Sequence, residues 1–316
     1  MKRQETNSIT VAQFLQNHQE ELQLQPFGEP IGLDREIREP APNRPGLALA
    51  GFFTYFAKKR IQVLGNSEIS YLKKLDDKTR AKRFEALCEQ EPPCLVIARS
   101  HGLSTDLAQI TAQQGIPIFS TPMVTMSFCN AATRCLERDF APRTTIHGCM
   151  LDYRGIGVLI MGKSGTGKSE TAIGMLDRGA ALVADDMVRV KLLGDELIAK
   201  SNELSQGYIE MRGIGIINVA NLYGLSAIRP RKRLDLVVTL RPQSDLNNVD
   251  RTGIKQKNIE ILGQSIANVE IPVAPGRDTA RLVSVAALDL QLRKLGYDMA
   301  DEFNQRLLAK MNPNGF

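Results

Sequence analysis

The stretch Gly162-Lys163-Ser164-Gly165-Thr166-Gly167-Lys168-Ser169 decides how the second half of this chain is expected to fold. It fits the pattern of a glycine, four free positions and then Gly-Lys-Ser, which is typical of a phosphate-binding loop. Residues 155–161 before it are apolar and β-branched like a buried strand, and residues 170–176 after it can continue as a helix. Strand, loop and helix leave backbone N–H groups pointing at one spot, where the helix N-terminus adds partial positive charge. We therefore predict that this loop binds the phosphates of a nucleotide.

Two residues of the loop have specific predicted roles. Lys168 would reach the outer phosphates as a point charge, and the Ser169 hydroxyl would complete the shell of a magnesium ion. The alternative is a glycine turn with only a structural role, and the flanking strand and helix favour the nucleotide site. The candidate nucleotide-binding residues are Gly162, Lys163, Ser164, Gly165, Thr166, Gly167, Lys168 and Ser169.

The composition predicts an ordinary two-domain globular protein. At 316 residues the chain exceeds what one hydrophobic core usually serves, and 43% hydrophobic with 24% charged residues is typical of soluble proteins. The net charge of +5 is mild and basic residues are scattered among acidic ones, so no nucleic-acid partner is predicted. The basic run at residues 229–233 is more typical of a solvated loop than of a docking surface, although an acidic partner remains an alternative.

The cysteines and the N-terminus predict a cytoplasmic location. The five cysteines are an odd number without paired metal-ligand spacing, which predicts neither a disulfide framework nor a zinc site. Residues 1–6 lack the apolar core of a signal peptide, and no later run approaches the roughly 20 apolar residues of a membrane span. We therefore expect reduced thiols and no membrane partner. The cysteines are Cys88, Cys94, Cys129, Cys135 and Cys149.

Strands alternate with helices through residues 1–136, which predicts a small N-terminal α/β domain. His18 lies among Gln and Glu and is expected to be exposed. His101 follows a predicted buried strand and could line a site, but a turn residue is an equally good interpretation. Helices are predicted at 9–23, 67–74, 77–90, 103–114 and 123–137, and strands at 60–65, 93–98 and 116–119.

The second domain is predicted to span residues 137–316. Residues 137–145 are charged, contain a proline and lack an apolar period, so they predict a linker. A predicted strand at 181–184 ends in Asp185-Asp186, about 17 residues after Lys168, where acidic residues at a strand end would face the phosphates.

The remaining pattern departs from a doubly wound sheet. A hairpin is predicted at 188–193 and 197–199, and further strands at 234–240 and 257–273 have few helices between them. One strand-loop-helix unit is therefore expected in a mixed, largely antiparallel sheet. Predicted helices at 279–294 and 299–311 close the chain.

Two further stretches, taken with the phosphate loop, resemble the bacterial HPr kinase/phosphorylase family. Residues 209–218 are similar to the family signature, and residues 272–277 to the family's dephosphorylation loop. His147 before the phosphate loop and Asp250-Arg251 after the signature also match the order of residues in the family. Residues 43–47 and 60–65 of the N-terminal half also resemble the family, less specifically. The signature region is Ile209, Glu210, Met211, Arg212, Gly213, Ile214, Gly215, Ile216, Ile217 and Asn218. The dephosphorylation loop is Pro272, Val273, Ala274, Pro275, Gly276 and Arg277.

The resemblance implies a bifunctional enzyme. Such an enzyme phosphorylates a regulatory serine of HPr, the phosphocarrier of the sugar phosphotransferase system, with magnesium and either ATP or pyrophosphate as donor. It also removes that phosphate by phosphorolysis with inorganic phosphate, and it acts in carbon catabolite regulation. The resemblance further implies a homohexamer whose kinase domain is similar to phosphoenolpyruvate carboxykinase.

The same resemblance assigns expected roles to the matching carboxylates. A serine hydroxyl is a weak nucleophile at neutral pH, so a carboxylate within hydrogen-bond reach must accept its proton. We predict Asp186 for this role rather than Asp185, because Asp186 matches the base of the family and begins the turn. Glu210 is expected to complete the magnesium site opposite Ser169.

Three basic residues complete the expected site. Arg251 is predicted to donate to charge developing on the transferred phosphoryl group, and Arg277 to an incoming phosphate. His147 is expected to assist proton transfer, with a packed structural histidine as the alternative. Ala274 and Asp278 depart from the family pattern, where arginine and asparagine are more frequent, which affects the expected dephosphorylation more than the kinase reaction.

Two other functions share the nucleotide site. One is a P-loop kinase of a small alcohol, and the other is a nucleotide-sensing regulator that binds ATP without turnover. Asp186 and Glu210 argue against the regulator, because a sensor does not need a positioned base.

Overall fold

The computed structural model describes residues 6–29, 31–242, 257–299, 302, 303, 305, 306 and 308. These residues form two compact units that divide between Ala141 and Pro142. Each unit has its own sheets and its own hydrophobic clusters. The chain is therefore a two-domain α/β protein with mixed sheets.

The N-terminal unit is a short sheet covered by helices on both faces. Its order is β2-β6-β5-β4, with β4, β5 and β6 parallel and β2 antiparallel to β6. Alternate residues of the strands belong to two separate buried clusters, as expected when both faces are covered. The elements are β1 (Ile9–Thr10), α1 (Val11–His18), β2 (Gln25–Pro26), β3 (Glu36–Ile37), α2 (Gly46–Leu49), β4 (Gln62–Leu64), α3 (Asn66–Lys74), α4 (Asp77–Cys88), β5 (Leu95–Ile97), α5 (Thr105–Gln113), β6 (Ile118–Ser120) and α6 (Thr125–Phe140).

The expectation that His18 is exposed is wrong. His18 is 7% exposed, its ring centroid lies 5.4 Å from that of Phe14, and its Nε2 lies 2.8 Å from Asp139 Oδ2. The polar neighbours of His18 in sequence lie on the other face of α1, whose buried positions are Val11, Phe14 and His18. Helical spacing rather than neighbouring residues therefore decides its environment.

The linker predicted at residues 137–145 contains the division between the two units, but its expected loop structure is wrong. Residues 137–140 are the last turn of α6, and β7 begins at Arg143. The charged residues that suggested a loop instead pair with a neighbouring segment, since Arg138 binds Glu21 at 2.7 Å and Asp139 binds His18. The domain boundary predicted after residue 136 lies five residues before the division between the two units.

The C-terminal unit contains two main sheets. The central one has the order β10-β8-β9-β16-β18-β17, and a second, fully antiparallel one has the order β15-β12-β11-β7. The elements are β7 (Arg143–His147), β8 (Cys149–Tyr153), β9 (Ile156–Gly162), α7 (Lys168–Leu176), β10 (Ala181–Ala184), β11 (Met187–Leu193), β12 (Glu196–Lys200), β13 (Tyr208–Met211), β14 (Gly215–Asn218), α8 (Val219–Tyr223), β15 (Arg231–Arg233), β16 (Leu236–Pro242), β17 (Lys257–Ile261), β18 (Gln264–Val273) and α9 (Thr279–Lys294).

Parallel pairing in the central sheet brings the functional loops to one edge. β9, β16 and β18 run parallel, with Gly162 opposite Leu240 and Pro242 opposite Val273, so their carboxyl ends coincide. One face of this sheet packs against α7 and α9, and the other contacts the second sheet through a separate cluster. The loops that follow β9 and β18 therefore leave the sheet on the same side.

Most predicted elements of this unit have counterparts in the structure. β10 and α9 coincide with the predicted ranges 181–184 and 279–294, and β11 and β12 form the predicted hairpin. The helix predicted at 299–311 falls partly outside the described residues. Across the described ranges, no helix combines the length and the apolar character that crossing a membrane requires.

Candidate active site

The loop between β9 and α7 has the backbone that a phosphate site requires. Gly165 and Gly167 have φ angles of 80° and 83°, a left-handed conformation that residues with a β-carbon rarely adopt. At Gly162 space is limiting, because an added β-carbon would lie 2.6 Å from Thr166 Oγ1. α7 begins at Lys168, directly after this turn, so its first N–H groups face the loop. Conformation or space therefore explains each glycine of the motif.

Two cationic side chains lie against this loop. Lys168 Nζ donates to the carbonyl oxygens of Gly162 at 3.1 Å and Lys163 at 3.2 Å. Arg212, in the turn after β13, donates from Nη2 to Ser164 Oγ at 3.4 Å. Sequence reasoning placed Arg212 in the signature region without a role of its own. The two positive charges favour an anionic ligand at the loop.

The two aspartates after β10 lie in opposite environments. Asp185 is 8% exposed, and its two carboxylate oxygens accept hydrogen bonds from Cys149 Sγ at 2.6 Å and from the Glu210 backbone N–H at 3.0 Å. Asp186 is exposed with a φ of 62°, and its Oδ1 lies 3.2 Å from His147 Nε2. Asp185 therefore links β8 and β13 through hydrogen bonds. Asp186 instead presents its carboxylate to solvent beside the imidazole of His147.

Cys149 of β8 donates a hydrogen bond to the buried carboxylate of Asp185. Burial and the negative charge of Asp185 raise the pKa of the Cys149 thiol well above its ordinary value, and a hydrogen bond with the Ser169 side chain acts in the opposite direction. The thiol therefore stays protonated and donates to the carboxylate. Sequence reasoning missed this contact, because a cysteine in an apolar strand gives no signal until the pairing of β8 with β10 places it beside Asp185.

The signature region, residues 209–218, contains the β13–β14 hairpin. Ile209 of β13 is buried, whereas Ile214 in the turn and Ile216 of β14 are 71% and 77% exposed. The hydrogen bond from the Glu210 backbone N–H to the Asp185 carboxylate holds the hairpin beside the end of β10. Cys149, Asp185 and Glu210 consequently belong to one hydrogen-bonded group, and Ser169 at the start of α7 influences the pKa of its thiol.

The oxygen atoms of this group suit a magnesium ion, which is a hard cation. Ser169 supplies a hydroxyl, and Asp185 and Glu210 supply carboxylates. Both oxygens of Asp185 already accept protein hydrogen bonds, whereas the Glu210 side chain is exposed. The residues present thus fit the metal, and Ser169 and Glu210 remain its predicted ligands.

The predicted dephosphorylation loop leaves the same edge of the sheet as the phosphate loop. It begins in the last residues of β18, and the register of β18 with β16 and of β16 with β9 fixes its position at that edge. Arg277 is exposed, and its backbone N–H closes a turn onto Ala274 O at 3.1 Å. Arg251 lies outside the described residues, so its role stays a prediction.

Family models match both halves of the chain. The model described as the HPr serine kinase C-terminal domain matches residues 138–307, and the one described as the HPr serine kinase N terminus matches residues 9–136. The chain belongs to the HPr serine kinase family. This confirms the resemblance that the sequence motifs indicated.

Curated relatives support membership of the HPr serine kinase family along almost the whole chain. Proteins named HPr kinase/phosphorylase from Bacillus cytotoxicus and Bacillus cereus are 36% and 37% identical over 291 residues, which is 92% of this chain and 94% of each relative. The solved structure of the HPr(Ser) kinase/phosphatase from Coxiella burnetii is 32% identical, with a TM-score of 0.47, and covers 51% of this chain and 98% of that one. The prediction of an enzyme of the kinase and phosphorylase class is confirmed.

Proposed function

We propose that the protein phosphorylates a regulatory serine of the phosphocarrier HPr with ATP and removes that phosphate by phosphorolysis with inorganic phosphate. HPr is the substrate that the names of the relatives give. The observation that carries the proposal is the exposed Asp186, 3.2 Å from His147, one residue after the buried Asp185 that is hydrogen-bonded to Cys149 and to the Glu210 backbone.

The environment of Asp186 suits a base for a serine on another protein. Its side chain is 65% exposed, so a serine on a folded partner can reach it, whereas both oxygens of Asp185 are already occupied. The carboxylate takes the proton of the serine hydroxyl as the hydroxyl oxygen attacks the phosphoryl group. In the reverse direction the same carboxylate returns the proton to the leaving serine oxygen. His147 holds the carboxylate in position.

Binding of the phosphoryl donor depends on the loop after β9. Lys168 and the N-terminus of α7 bind the donor phosphates, and Arg212 adds positive charge beside Ser164. Ser169 and Glu210 would hold the magnesium ion, which when bound neutralises charge on the phosphate oxygens. Arg277 binds the inorganic phosphate that enters only in the reverse reaction.

The proposal extends to properties that the family resemblance implies. These are use of pyrophosphate as an alternative donor, a role in carbon catabolite regulation, assembly as a homohexamer, and a kinase domain similar to phosphoenolpyruvate carboxykinase. The central sheet, with antiparallel strands at both sides of a parallel centre, supports the last of these. Five free cysteines support the proposed cytoplasmic location.

The test is transfer of label from γ-labelled ATP to HPr of the same organism. We expect label on wild-type HPr, no label on HPr whose regulatory serine is replaced by alanine, and release of the label as pyrophosphate when inorganic phosphate is added. Label on small alcohols but not on HPr would instead identify a small-alcohol kinase. Binding of ATP without any transfer would identify a nucleotide sensor.

A further inference from the structure

A second group of metal-ligating side chains lies in the N-terminal unit, between the end of α1 and the last turns of α6. One ligand atom each from His18, Glu21 and Cys135 lies within 4.8 Å of the other two. His18 and Cys135 are 7% and 0% exposed, whereas Glu21 is at the surface. Asp139 Oδ2 lies 2.8 Å from His18 Nε2. An imidazole, a thiol and two carboxylates therefore meet at one place.

The backbone fixes these side chains in two pairs. Leu22 N–H donates to His18 O at 3.0 Å, so a helical turn continues past α1 and Glu21 follows His18 on the same face. Cys135 and Asp139 are four residues apart on α6, again on one face. Two helical segments that each contribute a pair of side chains are a common way to build a metal site.

We propose that His18, Glu21 and Cys135 bind a divalent cation of the zinc class, with Asp139 orienting the imidazole. The donor set excludes magnesium and calcium, which prefer oxygen, and is the mixture of nitrogen, sulfur and carboxylate oxygen that zinc accepts. Zinc bonds of about 2.0–2.3 Å separate neighbouring ligand atoms by roughly 3.3–3.8 Å, so side chains within the observed spread need to move by about 1 Å. With Nδ1 as the metal ligand, the contact from His18 Nε2 to Asp139 would be the usual supporting contact of a ligand histidine.

The guanidinium of Arg138 lies between two of the three proposed ligands, so it decides how the proposal is tested. Its Nη2 is 2.7 Å from Glu21 Oε2 and 3.1 Å from Cys135 Sγ. The Arg138 side chain is 45% exposed, so the guanidinium is partly in solvent, whereas His18 and Cys135 are buried. The guanidinium and a metal ion would compete for the same atoms.

The linear spacing of the cysteines predicted no zinc site, since Cys135 is far from its partners in sequence. The alternative is a network of ion pairs that only fastens the end of α1 to α6. The two interpretations differ for Arg138→Ala. A metal site gains affinity when the competing cation is removed, whereas a pure ion-pair network binds no metal in any variant.

The experiment titrates the full-length protein, after treatment with a chelator, with Co²⁺ and then with Zn²⁺ as competitor. We expect one Co²⁺ per chain, a near-ultraviolet charge-transfer band from the thiolate, and displacement by Zn²⁺. Cys135→Ser should abolish the band, and Glu21→Gln should weaken binding by at least about tenfold, the smallest loss typical even of a supporting group. Arg138→Ala should bind more tightly than wild type. Cys129→Ser on the same helix and His101→Gln in the same unit are matched controls that should change nothing.

Several results would overturn the proposal. These are absence of the charge-transfer band in the wild-type protein, a band that survives Cys135→Ser, or a band that disappears in Cys129→Ser. Unchanged affinity in both Glu21→Gln and Arg138→Ala would also overturn it. Both of those positions are at the surface, so the variants keep the fold and the result does not depend on replacing a buried residue.

Discussion

Replacing each of the two consecutive aspartates by asparagine should separate stability from catalysis. Asp185 is buried with both oxygens hydrogen-bonded, and Asp186 is exposed beside His147. Asp185→Asn should therefore lower the free energy of unfolding, and Asp186→Asn should lower the reaction rate. Asparagine keeps the shape of the side chain in both variants.

The magnitudes follow from the contacts. Hydrogen bonds to a charged group contribute about 1.5–3 kcal/mol each, and neutral ones about 0.5–1.5 kcal/mol. Asparagine offers one carbonyl oxygen where Asp185 offers two carboxylate oxygens, so one bond is lost and the other is weakened, and unfolding should become easier by about 2–4 kcal/mol. For the C-terminal unit, this loss of stability lowers the midpoint temperature of thermal unfolding by roughly 5–10 °C. Asp186→Asn loses only an exposed ion pair worth below about 1 kcal/mol.

Differential scanning calorimetry and initial rates in both directions measure the two effects. Asp186→Asn should slow phosphorylation and phosphorolysis together by about 10²–10⁴, since the proposed mechanism uses this carboxylate in both directions. Asparagine is the correct replacement at Asp186, because it tolerates the φ of 62° that alanine would adopt only with strain. A midpoint unchanged by Asp185→Asn would refute the reasoning, and so would an Asp186→Asn variant that retains either reaction.

Three further substitutions test other parts of the structure. Lys168→Ala should weaken nucleotide binding by about 1.5–3 kcal/mol, roughly ten- to a hundredfold in Kd by isothermal titration calorimetry, and unchanged turnover would mean that the loop does not bind phosphates. Arg277→Ala should reduce initial rates of phosphorolysis far more than those of the kinase reaction, and equal losses at saturating substrates would contradict its assigned role. Gly157→Ala places a methyl group 1.8 Å from Arg233 O, so unfolding should become easier by about 1–3 kcal/mol in thermal denaturation, whereas Gly102→Ala, with open space around it, should be neutral.

Features that depend on neighbouring residues in the chain could be predicted. The strand, glycine loop and helix at 155–176 form a continuous pattern, and so does α9 from its capping Asp278 through sixteen residues. The hairpin of β11 and β12 is marked by alternating apolar residues and a Gly-Asp turn. In each case the periodicity and the turn residues act within one short segment.

Features that depend on distant pairing could not be predicted. The burial of His18 requires α6 to lie against α1, and the helical character of residues 137–140 requires Glu21 and His18 as partners for their charges. The hydrogen bond from Cys149 to Asp185 exists only because β8 pairs with β10 in the sheet. Sequence patterns carry no information on these pairings, and a resemblance to known families identifies residues without giving their contacts.

The environment of Asp278 bears on whether phosphorolysis is compatible with the departures from the family pattern. A free carboxylate next to Arg277 would repel an incoming phosphate, but here Oδ1 accepts from the Arg281 N–H at 2.9 Å and Oδ2 from Arg178 Nη2 at 2.6 Å. The hydrogen bond from Arg281 caps the N-terminus of α9. The ion pair with Arg178, which lies just after α7, balances the charge of the Asp278 carboxylate. Both oxygens therefore accept from donors outside residues 272–277, and the guanidinium of Arg178 offsets the negative charge. Arg277 is the one charged side chain of residues 272–277, so in the proposed phosphorolysis it would bind the phosphate without a second arginine from this loop.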